Sequence, residues 1–253
     1  MKKFFLTAAL LATVGVSFSG AQTLRASRVL MDTMEYRQKA SEEMVNLLNT
    51  YAPLLHEKMN QVVGYTTQTM YSHPPESTLS NMAADALLSM ARRHYGQDKV
   101  DFSFTNFGGI RTSFPKGNLT LYYVYAAFPF ENSLVLVSLK GKQIKALFDH
   151  FAQHRVEALA GVKLVVENQK VEELLIGGKP LEEDKVYHLA TIDFLLGGGD
   201  RMTVLADNLG VDYSGITLRA LILEYINVFY QKGEPIPAKI DRRVVVINNN
   251  EKS

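Results

Sequence analysis

Phe194-Leu-Leu-Gly-Gly-Gly-Asp200 puts an aromatic ring, a glycine run and a carboxylate within seven residues, directly after a predicted strand at 185–192. Glycines let a backbone turn sharply and approach a ligand closely. The ring offers a flat stacking face. The carboxylate can accept hydrogen bonds from two neighbouring hydroxyls, as on a ribose. A glycine-rich turn ending in Asp also serves as a plain structural turn, so the stretch needs company. Two further segments supply it: Thr105-Asn106-Phe107-Gly108-Gly109-Ile110-Arg111 and Phe128-Pro129-Phe130-Glu131-Asn132. Each again sets a ring and a polar or cationic side chain beside backbone breakers.

Working outward, Val100, Phe102 and Phe104 alternate and predict a strand that runs into Asn106. Residues 26–51 lack Gly and Pro and predict a long amphipathic helix stopped near Pro53; helical character over 54–64 gives way to a short strand at 65–70. Ser77 or Thr78 caps the next helix, with Leu79, Met82, Ala83, Ala86, Leu87 and Met90 as its buried stripe and Gly96 past its end. A short helix follows at 121–127 and a strand at 133–139. Lys140-Gly141 then turns into a helix reaching about 158. Paired strands at 162–166 and 171–176, a Gly177-Gly178 turn, the strand at 185–192, a helix at 218–230 and a strand at 243–247 complete the chain. Interspersed helices and hairpin-like strand pairs predict an α+β domain rather than a doubly wound parallel sheet.

Met1-Lys2-Lys3, an apolar run over 4–18 and small residues at Ser19-Gly20-Ala21 read as a secretory signal peptide cut after Ala21. The expected location is therefore outside the cytoplasm, periplasmic or secreted. The run is too short to span a bilayer with normal flanks, and no other stretch approaches that length. There is no cysteine, which excludes disulfides and thiolate chemistry. Losing Lys2 and Lys3 with the peptide turns a formal charge of +1 into −1. Neither value makes a case for nucleic acid or membrane binding, so any anion recognition must be local.

The three loop segments, together with Glu76-Ser-Thr-Leu-Ser-Asn-Met-Ala-Ala-Asp85, resemble the C-terminal, substrate-specificity domain of the 5′-nucleotidase family. That family carries Asn-Gly-Gly-Gly-Ile-Arg, Pro-Phe-Gly-Asn and Phe-Leu-x-x-Gly-Gly-Asp motifs in the same order, after a Glu-Ser-x-Leu-Gly-Asn-x-x-x-Asp helix start. The resemblance spans roughly 60–248 and implies a layered mixed-sheet domain with helices packed outside central sheets. It implies that Phe130 and Phe194 clamp a nucleobase and that Asp200 holds the ribose hydroxyls. Asn106 would read a base edge, Arg111 would point toward the phosphate or ribose side, and Asn132 would close the second motif. Phe107 and Phe128 are expected to pack in the core. Phe107 and Glu131 stand where the family often has Gly. His73 stands where it often has a phosphate-directed Arg, so nucleoside binding should survive better than nucleotide binding.

The full-length enzymes of that family hydrolyse phosphate esters at a dinuclear metal centre in an N-terminal domain. Such a centre needs clustered Asp, His and Asn ligands. Here the six histidines are scattered, and no Asp-x-His or Asn-His-Asp cluster occurs. His150 and His154, four apart on a predicted helix, lack the Glu of a zincin motif and read as a solvated face. The expected organisation is a signal peptide at 1–21, a helical segment at 22–58 and the nucleotidase-like domain at 59–253, with no catalytic or metal-binding residues and no cofactor. The chain would bind a nucleoside or nucleotide and act with a separately encoded metallophosphoesterase chain that holds the divalent metals, docking through the 26–51 helix. Alternatives are a non-catalytic periplasmic nucleoside-binding protein and an interaction protein that has lost the pocket.

Overall fold

A computed structural model of the chain describes residues 41–248. The chain divides into two units, Met1–Asn49 and Thr50–Ser253. The signal-peptide reading, and the predicted helix as far as residue 40, lie outside the described residues. Helix α1, Glu42–Met59, crosses the division and runs straight through Pro53 rather than stopping before it. Proline removes one backbone donor and crowds the preceding turn. Residues 41–58 are all exposed, so water can take the carbonyl this frees. Leu47, Leu48, Tyr51, Leu54 and Leu55 form an apolar stripe along α1, each more than half exposed.

The second unit is built on a five-stranded sheet. Strand β2, Phe102–Thr105, lies inside it and is buried on both faces. Alternation explains this. Phe102 and Phe104 point to one face, where they meet Phe148 and Phe151 of helix α4 (Gly141–Gln153) at 5.8 and 5.3 Å. Ser103 points to the other, where its hydroxyl donates to the Ala84 carbonyl of helix α2 (Thr78–Tyr95). Helix α2, Thr78–Tyr95, buries the predicted stripe, begins at Ser77 and ends on Gly96. Helix α4, Gly141–Gln153, also packs on a second sheet of four strands. The domain is therefore layered and α+β, with helices against both sheets.

In chain order the remaining elements are β1 (Val62–Thr66), β3 (Gly117–Thr120), α3 (Leu121–Ala127) and β4 (Ser133–Lys140). They continue with β5 (Ala158–Ala160), β6 (Val162–Glu167), β7 (Lys170–Ile176), β8 (Lys179–Pro180) and β9 (Val186–Ile192). The last are α5 (Asp193–Leu196), β10 (Gly210–Thr217), α6 (Leu218–Lys232) and β11 (Val244–Ile247). β1 and β3 form a separate antiparallel pair. The second sheet runs β11-β6-β7-β8.

Two predicted boundaries move. The 140–158 helix stops at Gln153, because Ala158–Ala160 pairs with β2 as an edge strand. The strand predicted at 65–70 lies instead at Val62–Thr66, paired with β3; Met70 keeps only a single bridge, to Phe114. β10 is absent from the sequence reading because Gly210, Asp212, Ser214 and Gly215 break the apolar pattern of an exposed edge strand.

The main sheet's order, β10-β4-β9-β2-β5, positions everything that follows. β9 and β2 are parallel neighbours, so both end at the same edge of the sheet. β4 and β5 run antiparallel to them and start at that edge. β10 is antiparallel to β4 and ends there, with Thr217 opposite Ser133. Loops far apart in sequence therefore emerge side by side, at the carboxyl ends of β2 and β9.

Candidate functional site

At this edge a cleft of about 240 Å³ is lined by Asn106, Arg111, Phe130, Asn132, Phe194 and Asp200, with Gly108 and Gly109. All six residues singled out from the sequence share it. They arrive on three loops: after β2, between α3 and β4, and after β9. Phe130 and Phe194 are 47% and 45% exposed, while Phe107 and Phe128 are buried in the core. A half-exposed pair of rings in one cleft differs physically from rings spent on packing.

Glycine at two positions shapes the site. A Cβ at Gly109 would stand 2.6 Å from Oδ1 of Asn106, so glycine lets that side chain fold back across the loop. A Cβ at Gly199 would stand 2.4 Å from the Phe194 ring. Any other residue at 199 would push the ring away. Asp200 follows in the left-handed region, at φ 50° and ψ 29°, and Arg201 at φ 65°. Two successive non-glycine residues there carry strain of roughly 1–2 kcal/mol each. Strain held by the surrounding structure is common at ligand sites.

The polar groups are partly committed. Asn106 Nδ2 donates to Asp200 Oδ2 at 2.6 Å, tying the first loop to the third. Asn106 is buried, and its Oδ1 has no hydrogen-bond partner among the described residues. Arg111 is exposed; its Nη1 makes one long contact, 3.3 Å, to the Gly108 carbonyl, while its backbone N–H holds the loop to the end of α3 through the Ala127 carbonyl at 2.8 Å. His73 is exposed and does not line the cleft. It belongs to the segment before α2, where its N–H donates to Ser77 Oγ. The phosphate role its sequence position suggested has no geometric support.

Three residues that set this geometry escaped the sequence reading. Glu157 is buried at the start of β5; its Oε2 accepts the Phe107 N–H at 2.8 Å, and its Oε1 takes both Nε and Nη2 of Arg155. Burial pushes its carboxyl pKa up, against the pull of Arg155 and the Phe107 N–H. Arg219, buried on α6, pins the Phe130 loop by donating to the Phe128 carbonyl at 3.0 Å and pairing with Glu131. Its guanidinium also lies 4.3 Å from the Tyr125 ring centroid. Glu131, in place of the family glycine, is thus one anchor of the loop. Asp193 Oδ1 accepts both the Phe194 N–H at 2.8 Å and the Ser133 N–H at 3.1 Å. It links the start of the turn carrying Phe194 to the strand that follows Asn132. An Asp opening a helical turn is a capping signal visible in sequence; its second partner is not.

Asp193→Ala should therefore loosen both ring-bearing loops at once. Two hydrogen bonds to a charged group disappear, so a stability loss of about 1.5–3 kcal/mol is expected by urea unfolding. An unchanged urea midpoint would show that the loops are held independently of this carboxylate.

The Glu76–Asp85 segment does not enter the cleft. Glu76 Oε1 accepts Asn81 Nδ2 and the Asp241 N–H, and Asp85 receives Arg243 in a two-pronged ion pair at 2.6 and 3.1 Å. Its work is structural, locking α2 to the segment entering β11. No group of three or more His, Asp or Glu side chains with metal-site geometry occurs among the described residues. No helix among them is long and apolar enough to cross a membrane.

The scaffold is an α+β domain whose loops meet over a cleft with two half-exposed rings and a carboxylate. Residues 62–207 match the profile of the 5′-nucleotidase C-terminal domain, and the chain belongs to that family. It is 26% identical over 194 residues to an apyrase of Tabanus yao, matching 66% of this chain and 35% of the apyrase. It is 30% identical over 152 residues to a 5′-nucleotidase of Vibrio vulnificus, matching 58% of this chain and 27% of that protein. The crystal structure of a 5′-nucleotidase precursor from Thermus thermophilus superposes with a TM-score of 0.70 at 25% identity, over 81% of this chain and 42% of that one. This chain thus spans about a third or less of the length of those curated relatives.

Proposed function

We propose that this domain binds nucleosides and nucleotides as the specificity unit of a 5′-nucleotidase-type hydrolase in nucleotide catabolism. One observation carries the reading: residues from three distant motifs line one cleft with two half-exposed phenylalanines. A base stacks between Phe130 and Phe194, an arrangement worth roughly 1–3 kcal/mol per base and tolerant of base identity. The ribose hydroxyls lie on the Asp200 carboxylate, whose Oδ2 is already fixed by Asn106. Asn106 Oδ1, buried and unpartnered, accepts from the ligand. Arg111 faces the phosphate side, where its planar fork suits phosphate oxygens. Asn132 completes the wall.

Metals and the attacking water come, in this reading, from a metallophosphoesterase unit outside this sequence, encoded as a separate chain. The absence of Asp-x-His and Asn-His-Asp clusters motivates this assignment. The docking element is α1, which carries an exposed apolar stripe. Export follows from residues 1–21.

Calorimetric titration tests the binding claim. Adenosine should bind more tightly than adenine, and Asp200→Asn, which tolerates the left-handed backbone, should weaken adenosine about tenfold while leaving adenine unchanged. Equal losses for both would remove the ribose from Asp200, and no binding of either would end the reading. AMP should remain unhydrolysed by this chain with added divalent metal. Chelator-sensitive phosphate release that survives repurification would overturn the assignment of catalysis to another chain.

A further inference from the structure

A second cleft of about 420 Å³ lies beyond Asp200, which lines both. Its walls are His150 and His154 at the end of α4, Arg155 and Glu157 in the segment leading to β5, and Asp200, Arg201 and Met202 in the turn after α5. Read from sequence, the two histidines looked like an ordinary solvated helix face. Folding places them opposite an arginine.

The charges in this cleft are not equally available. Arg155 and Glu157 neutralise one another at 2.6 Å, and Glu157 is also committed to the Phe107 N–H. Asp200 is partly engaged by Asn106. Arg201 has no hydrogen-bond or ion-pair partner among the described residues, and its left-handed backbone, φ 65°, is a conformation a plain surface arginine would not need. The His150 and His154 rings stack with centroids 4.4 Å apart and planes at 21°. His154 Nδ1 donates to the His150 carbonyl at 3.1 Å, which leaves its Nε2 free.

We propose that this cleft is an oxyanion site for a phosphate group, assembled by Arg201 and the stacked histidines and strengthened as His150 takes up a proton. With both rings neutral, the two arginines and two carboxylates balance, and the cleft holds little attraction for an anion. Each imidazole proton adds one positive charge beside the free guanidinium. Unliganded, that protonation is opposed: burial, His154 and Arg201 together push the His150 pKa down. A bound dianion adds an attraction that opposes these two repulsions, so anion binding and protonation favour each other. Chelation of a metal ion by the histidine pair is disfavoured by the facing arginine, since a cation ligated by His150 and His154 would meet its charge. The cleft is accordingly an anion site rather than a metal site.

The phosphate could reach the cleft in two ways, as a free oxyanion or as a substituent on the sugar of a ligand in the neighbouring pocket. The shared Asp200 opens the second route, since a ribose edge on that carboxylate faces the second cleft. That route rests on the nucleoside reading above, whereas the oxyanion site itself does not.

Sulfate titration of the full chain tests the site, because sulfate stays dianionic while His150 titrates. Imidazole NMR shifts of His150 and His154 report occupancy. Saturable binding is expected near pH 6, weakening about tenfold near pH 8 as His150 loses its proton. Arg201→Gln, and separately His150→Gln with His154→Gln, should each cost about tenfold near pH 6. These side chains are wholly or partly exposed, so the variants should fold; the dispersion of their NMR spectra checks that they do. Sulfate binding that is undetectable, flat with pH or unmoved in the folded variants would overturn the proposal. Two nucleotides identify the source. If the phosphate arrives on the sugar, 3′-AMP should bind more tightly than adenosine and compete with sulfate, and Arg201→Gln should erase its advantage. If it arrives free, sulfate and 3′-AMP should not compete, and the sulfate site stands alone. Failure of adenosine to bind, with sulfate binding intact, would sink the nucleoside reading and leave the oxyanion site in place.

Discussion

Phe194→Ala and Phe130→Ala are each expected to weaken adenosine binding by about 1–3 kcal/mol, roughly 5- to 150-fold, in calorimetric titration. The rings stand about half exposed on separate loops, so truncating either removes a stacking face and little core. Folding stability should therefore change by no more than about 1 kcal/mol. The double variant should bind more weakly than either single one, because each ring would cover a different face of the base. Adenine should lose nearly as much as adenosine, which separates stacking from the ribose contact of Asp200. Substitution at Gly199 should act in the same direction by displacing the Phe194 ring. If both single variants bind adenosine like the parent chain, the rings are not a clamp, and the cleft recognises its ligand through its polar wall alone.

Arg243→Met is expected to cost about 3 kcal/mol of folding stability near pH 7. Arg243 ties together Asp85 on α2, Asp241 and the Leu159 carbonyl of β5. Its side chain is 11% exposed, while those of Asp85 and Asp241 are 38% and 49% exposed. Solvent at the two carboxylates keeps the loss at the low end of the range for breaking a buried pair. The effect should depend on pH. Burial already holds the Asp85 pKa above its usual value despite Arg243, and removing the guanidinium raises it further. A raised carboxyl pKa favours the folded state while the group is protonated and disfavours it as pH climbs through the folded pKa. Asp241 behaves oppositely: Arg243 holds its pKa down, so the parent chain gains stability above pH 4 or so that the variant forgoes. The Asp241 contribution opens the gap between parent and variant as pH rises to about 4, and the Asp85 contribution widens it further from there toward neutrality. Urea unfolding at the two ends of that window measures it. An equal deficit at both would show that the variant loses packing and not charge compensation.

The local elements of this chain were legible because local physics decides them. Helix α2 starts at Ser77 and stops at Gly96 on its own caps, and its apolar stripe at helical spacing is the face it buries. The β6–β7 hairpin turns at Asn168 and Gln169, both left-handed, between alternating apolar runs. The three loop segments announced themselves by pairing rings and polar groups with backbone breakers, which a chain seldom needs in its core. Where tertiary contacts outweighed local preference, the reading slipped. β5 was missed, and the helix before it read as reaching about 158, because Ala158-Leu159-Ala160 has no strand signature until it pairs with β2. α1 passes Pro53 because nothing buries the carbonyl that proline strands.

What only the tertiary structure decided is adjacency. Asn106 and Asp200 are 94 residues apart, yet parallel pairing of β2 and β9 brings their loops to one edge and their side chains to 2.6 Å. Asp193, Glu157 and Arg219 carry no functional signature in sequence, since each acts through a partner supplied by another strand or helix. The stacked histidines show the same limit, because a helix face reads as solvated until the turn at Arg201 is folded against it. Sequence carries periodicity and chemistry along the chain. Which chemistries meet depends on strand order, and strand order is set by long-range burial that no local window contains.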